Sequence, residues 1–159
     1  MEDGVNEPKN LVEEFIGLKK KNPSLSCYIS VGGWSFEDPP RQLYWSEMAA
    51  TSKGRKSFSK NLLEFMQKYG FDGVDLDWEY PVASERGGMK DDKDNYVLLI
   101  KALREEFDDS GESYGITFTT PSSYWYLQHF DVPGMLDAGA DWTNVMSYDL
   151  HGVWDKNDE

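Results

Sequence analysis

Apolar positions along this chain recur with two periods, and the periods alternate. Leu11, Val12, Phe15 and Ile16 sit at helical spacing and predict a helix over 8–21, with Pro8 in its first turn. The run SCYISV, 26–31, reads as a strand that ends at the pair Gly32–Gly33. Phe58, Leu62, Phe65, Met66 and Tyr69 predict a helix over 55–69, with Gly70 as its C-cap residue. A strand over 71–79 follows. Then Tyr96, Leu99, Ile100, Leu103 and Phe107 mark the inward face of a helix over 91–107. YGITFTTP, 114–121, is a strand closed by Pro121. A short helix near 133–138 leads to a last strand, DWTNVMSYD, over 141–149. The order α-β-α-β-α-β-α-β predicts an α/β fold of parallel strands joined by helical crossovers. Two arrangements satisfy it: an open doubly wound sheet, or a piece of a barrel.

With 159 residues the chain is long enough to bury a core. It is too short for a complete barrel, which takes roughly 250 residues. Aromatic residues make up 14%, which excludes a disordered composition. The formal net charge of −13 sets the chain against nucleic acid and anionic membrane surfaces, while neutral ligands stay compatible. Cys27 is the only cysteine, so no internal disulfide forms. No run of 18 apolar residues predicts a membrane-spanning helix. The opening MEDGVNEPKN lacks the basic start and apolar middle of a secretory signal. His129 and His151 lie far apart and give no zinc spacing; both read as structural or rim residues.

One stretch departs from the core pattern. FDGVDLDWEYP, 71–81, carries Asp72, Asp75, Asp77 and Glu79. Successive strand residues point to opposite faces, so Val74, Leu76 and Trp78 share one face, and Asp75, Asp77 and Glu79 the other. Neighbours on a face are about 6.6 Å apart. Asp72 is out of phase, at the strand start, and reads as structural. A central parallel strand normally carries apolar side chains on both faces. Three carboxylates in a row repel one another and resist burial, so at least one is expected to hold a proton near neutral pH. A carboxyl kept protonated is what a general acid requires. Glu79 comes last, at the C-terminal end of the strand, where parallel α/β folds put their chemistry. A solvated acidic edge strand and a divalent-metal site are the competing readings. No phosphate loop accompanies the cluster: SVGGWSF lacks the Lys-Ser/Thr that would follow one.

The spacing Asp72-x-x-Asp75-x-Asp77-x-Glu79 resembles the signature of glycoside hydrolase family 18, the chitinases. SVGG, Ser30 to Gly33, looks like the family's Ser-x-Gly-Gly strand, and MSYD, Met146 to Asp149, looks like its Met-x-Tyr-Asp strand. ERGG at 85–88, SYWYLQHFD at 123–131 and SYDLHGVWD at 147–155 are closer to fungal chitinases of killer-toxin-like or LysM-bearing architecture. The resemblance covers essentially the whole chain. It implies a (β/α)8 TIM barrel acting on chitin or chitooligosaccharides without metal or organic cofactor. It implies Glu79 as general acid and base, with the substrate's acetamido group as nucleophile. Asp77 would orient and stabilise that group, Asp75 would share a proton with Asp77, and Tyr148, Met146 and Asp149 would line the same subsite. Ser30, Gly32 and Gly33 would be architectural. Tyr80 and Trp34 are the better candidates for sugar contact, ahead of Trp125, Tyr126 and Trp142.

The resemblance also implies that residues 1–159 are a partial catalytic domain, holding about four central β/α units. The remaining strands, and the aromatic floor of the final strand, would come from the rest of a parent chain. That parent is expected to be secreted. A carbohydrate-binding relative usually lacks the terminal acid of the motif, and Glu79 is present. An endo-acting enzyme on the chitobiose core of N-glycans shares the motif and stays open, as does a non-functional truncated product.

Overall fold

A computed structural model describes residues 8–152. The elements run α1 (Pro8–Gly17), β1 (Tyr28–Gly32), α2 (Tyr44–Ala50), α3 (Ser52–Tyr69), β2 (Gly73–Asp77), α4 (Asp92–Asp109), β3 (Gly115–Pro121), α5 (Tyr124–Leu127), α6 (Val132–Asp137) and β4 (Trp142–Met146). Short 3-10 turns cover Leu18–Lys20, Trp34–Glu37 and Ser84–Arg86. All four strands are parallel, in the order β1-β2-β3-β4. A doubly wound sheet reverses its strand order to place helices on both sides of its first strand. No such reversal occurs among the described residues.

The alternation in β2 is realised in burial. Val74 and Leu76 are fully buried and Trp78 nearly so, while Asp75 and Asp77 are half-buried. Trp78 stacks on Trp45 of α2, centroids 5.6 Å apart, and lies 5.1 Å from Tyr96 of α4. The whole predicted inner face of α4 is buried. Gly70 caps α3 in the left-handed conformation, its N–H donating to Met66 O. Asp72 accepts the Cys27 N–H at 2.7 Å and the Lys19 ammonium at 2.6 Å, fastening the segment before β1 to the start of β2.

Several boundaries differ from the periodic reading. The helix over 8–21 tightens into a 3-10 turn after Gly17, and its Leu11 and Phe15 are exposed while Val12 and Ile16 meet the core. The strand over 26–31 starts at Tyr28. The strand over 141–149 stops at Met146, because Ser147 turns back with its N–H on Val145 O. The short helix α2, unassigned from sequence, carries Trp45 and Ala49 into the core. Residues 153–155 of SYDLHGVWD lie outside the described residues. β1 and β4 are the outer strands of the described sheet, and β4 leaves Val145 58% exposed.

Candidate active site

The C-terminal ends of the strands gather the acidic row. The register sets Ser30 beside Asp75, Gly32 beside Asp77, and Asp75 beside Thr117. Asp75 accepts three hydrogen bonds from the other three strands: Ser30 Oγ at 3.0 Å, Thr117 Oγ1 at 2.7 Å and Asn144 Nδ2 at 2.9 Å. Asp77 accepts Thr119 Oγ1 at 2.6 Å. These are charge-assisted bonds, the stronger class, and they hold both carboxyls sideways across the sheet. The diglycine is packed against the same place. Gly33 N–H donates to Asp77 O at 2.8 Å, and no Cβ fits at Gly32 against that carbonyl.

Glu79 lies past the end of β2, 8% exposed, and opens onto a cleft of about 660 Å³. Trp34, Tyr80 and Tyr126 line one part of it, and Met146, Tyr148 and Asp149 another. Residues at the ends of β1, β2, β3 and β4 and in the loops after them therefore meet in one concavity, although they are up to 116 positions apart in sequence. Tyr80 stacks on Tyr126 at 4.3 Å, and Tyr126 Oη donates to Glu85 at 3.0 Å. Trp142 is elsewhere: it begins β4 and packs on Tyr28 at the opposite end of the strands, so it is not a wall of this cleft. Trp125 is 69% exposed and is not part of the lining.

The electrostatics follow from crowding. Burial, and then the charge of Asp77, push the Glu79 carboxyl above the usual carboxylate range; Tyr80, Arg86 and the Trp34 N–H pull the other way. Burial also raises Asp77, opposed by the Thr119 hydroxyl and reinforced by Asp75. Tyr80 is raised by burial and by Glu79. Tyr148 is raised by partial burial and by the charges of Asp77 and Glu79. Two neighbouring carboxyls, both raised by burial and by each other's charge or a further carboxyl's, are an arrangement suited to acid–base chemistry on a neutral ligand.

Two charged residues at the site escaped the sequence reading. Glu37 is 1% exposed, and its Oε1 accepts the Glu79 N–H at 2.6 Å. In SFEDPP it looks like one more acid of a solvated loop, and no periodicity marks it. Arg86 donates Nε to Glu79 O at 3.1 Å. Among the described residues no group of three His, Cys, Asp or Glu side chains is placed to hold a metal ion.

A profile of the family described as glycosyl hydrolases family 18 matches residues 2–159. Chitinase A1 of Niallia circulans is 39% identical over 152 residues, covering 91% of this chain and 21% of its own length. Probable chitinase LysM11 of Penicillium expansum is 35% identical over 157 residues, covering 96% of this chain and 13% of its own. Among solved structures, chitinase ChiW from Paenibacillus sp. str. FPU-7 superposes with a TM-score of 0.83 at 36% identity, over 94% of this chain and 18% of that one. The chain thus spans about a fifth or less of the length of these relatives. Its four parallel strands in sequential order are a segment of the (β/α)8 barrel.

Proposed function

The chain belongs to glycosyl hydrolase family 18, and on that premise we propose that residues 1–159 are the central part of a chitinase catalytic domain. The reaction is hydrolysis of β-1,4 links between N-acetylglucosamine units. Glu79 protonates the glycosidic oxygen as the substrate's own acetamido oxygen attacks the anomeric carbon. Asp77 accepts the acetamido N–H and stabilises the positive charge that develops. Asp75 tunes Asp77 through its neighbouring charge. Glu79 then takes a proton from the incoming water, and the anomeric configuration is retained. Tyr148, Met146 and Asp149 surround the acetamido group, and Tyr80 and Trp34 offer ring faces to sugars.

The observation that carries this reading is the pairing of carboxyls at the end of β2. A nearly buried Glu79, raised by burial, adjoins a half-buried Asp77 whose Oδ1 is held by Thr119. The wording at 85–88, 123–131 and 147–155, together with the likeness to the Penicillium LysM protein, supports a fungal subgroup and a secreted parent. The parent supplies the remaining barrel strands. The test compares rates on chitin oligomers and on a high-mannose glycopeptide, using the natural full-length chain. Preference for chitin oligomers is expected, and preference for the glycopeptide would make the protein an endo-β-N-acetylglucosaminidase instead. Asp77→Asn should also slow chitin cleavage, and a silent Asp77→Asn would rule out the substrate-assisted scheme.

A further inference from the structure

Glu79 is gripped through its backbone on both sides by opposite charges. On one side is Glu37, at the end of the 3-10 turn after β1. Its Oε1 takes the Glu79 N–H at 2.6 Å, and its Oε2 is buried with no hydrogen-bond partner in the structure. On the other side is Arg86, in the turn after β2. Its Nε donates to the Glu79 carbonyl at 3.1 Å, its Nη1 pairs with Asp38 at 3.2 Å, and its Nη2 donates to the Trp34 carbonyl. The guanidinium also lies 3.8 Å over the Trp34 ring. Residues 34–38 and 79–86 are thereby tied into one unit with Glu79 at the junction.

A buried carboxyl with an orphan oxygen is an expensive way to accept one N–H, since a neutral amide would accept it without the burden of charge. The charge therefore calls for a role. We propose that Glu37 and Arg86 are positioning residues for Glu79: from opposite sides they hold its backbone N–H and carbonyl and so fix where its carboxyl meets the cleft. This rests on the reading of Glu79 as the proton donor. The groups that bear on the Glu79 carboxyl are Asp77 of β2, its neighbour Tyr80, Arg86 after β2 and the N–H of Trp34 after β1; Glu79 in turn raises Glu37 after β1 and Tyr148 after β4. Burial pushes the Glu37 carboxyl up to about 7, opposed by the Glu79 N–H and Arg86 and reinforced by Glu79 and Asp77. The Glu79 anion helps Glu37 keep its proton, while the Arg86 cation favours the Glu79 anion.

The experiment measures the pH profile of kcat/KM on fluorogenic chitotriose, in the natural full-length chain, for the wild type, Glu37→Gln, Arg86→Gln and Arg86→Lys. Glu37→Gln keeps an acceptor for the Glu79 N–H but strains its buried place, so kcat falls about twofold with the basic limb in place. Arg86→Gln removes the cation that favours the Glu79 anion, so the basic limb moves to higher pH. Arg86→Lys keeps the charge but loses the fork that reaches Glu79, Trp34 and Asp38 at once, so kcat falls several-fold with the limb in place. KM changes less than kcat in all three. A limb that stays put or moves down in Arg86→Gln, or a kcat unchanged in Arg86→Lys, overturns the proposal while leaving Glu79 as the donor. A wild type that does not cleave chitotriose overturns the reading of Glu79, and this proposal with it.

Discussion

Replacing Gly32 by Ala probes the link between the diglycine and the acidic row. A Cβ built on Gly32 stands 2.1 Å from the Asp77 carbonyl oxygen and 3.0 Å from the Trp45 ring. Ordinary contact begins near 3.4 Å, so β1 and the end of β2 must part by about 1.3 Å. The residue also sits at φ +112°, which L side chains rarely adopt. Holding that conformation costs about 1–3 kcal/mol. Overpacking against a backbone atom adds about 1–3 kcal/mol more. The midpoint of thermal unfolding should fall by roughly 5–20 °C. The displaced atom belongs to Asp77, and an error of about 1 Å at a positioned group can cost on the order of 10²-fold in rate. Gly17→Ala is the control, because a Cβ there meets nothing within 4 Å. The assay pairs thermal unfolding with kcat/KM on fluorogenic chitotriose in the full-length protein. A Gly32→Ala protein within about 2 °C and twofold of wild type would refute the reasoning.

Two further outcomes follow from the electrostatics. Thr119→Val removes the 2.6 Å hydrogen bond that holds Asp77 down, so the acidic limb of kcat/KM should move to higher pH; an unmoved limb would detach Thr119 from the chemistry. Glu37 titrates at about 7 when folded, against 4.5 as the reference for the unfolded chain. Its folded pKa is raised, so the unfolded chain loses this proton first, and stability drops as pH climbs from 4.5 to 7 and levels off above. The drop is about 3 kcal/mol. Thermal unfolding at pH 5 and pH 7.5 should show a smaller difference in Glu37→Gln than in wild type, and an equal difference would show that Glu37 is not buried as described.

Much of this site is legible in the sequence because strand geometry is simple. Period two in VDLDWE places three carboxyls on one face before any coordinates are known, and the buried Val74, Leu76 and Trp78 opposite them match that pattern. The inner face of α4 and the Gly70 cap are equally local, hence readable. Glu37 was hidden because its burial comes from β2 and its following loop, more than 40 positions away. Trp142 looked like a sugar platform by residue type alone, but the direction of β4 puts it at the wrong end of the sheet. The helix α2 is too short for its period to stand out, and its Trp45 enters the core by stacking on Trp78.

The central claim is that Glu79 delivers the proton to a chitin linkage. The most direct measurement is hydrolysis of fluorogenic chitotriose by the natural full-length chain and by Glu79→Gln, which keeps the side chain's shape and removes its acid. The account predicts cleavage by the wild type and a loss on the order of 10²-fold or more in the variant, with thermal stability retained. An unchanged rate in Glu79→Gln would contradict it.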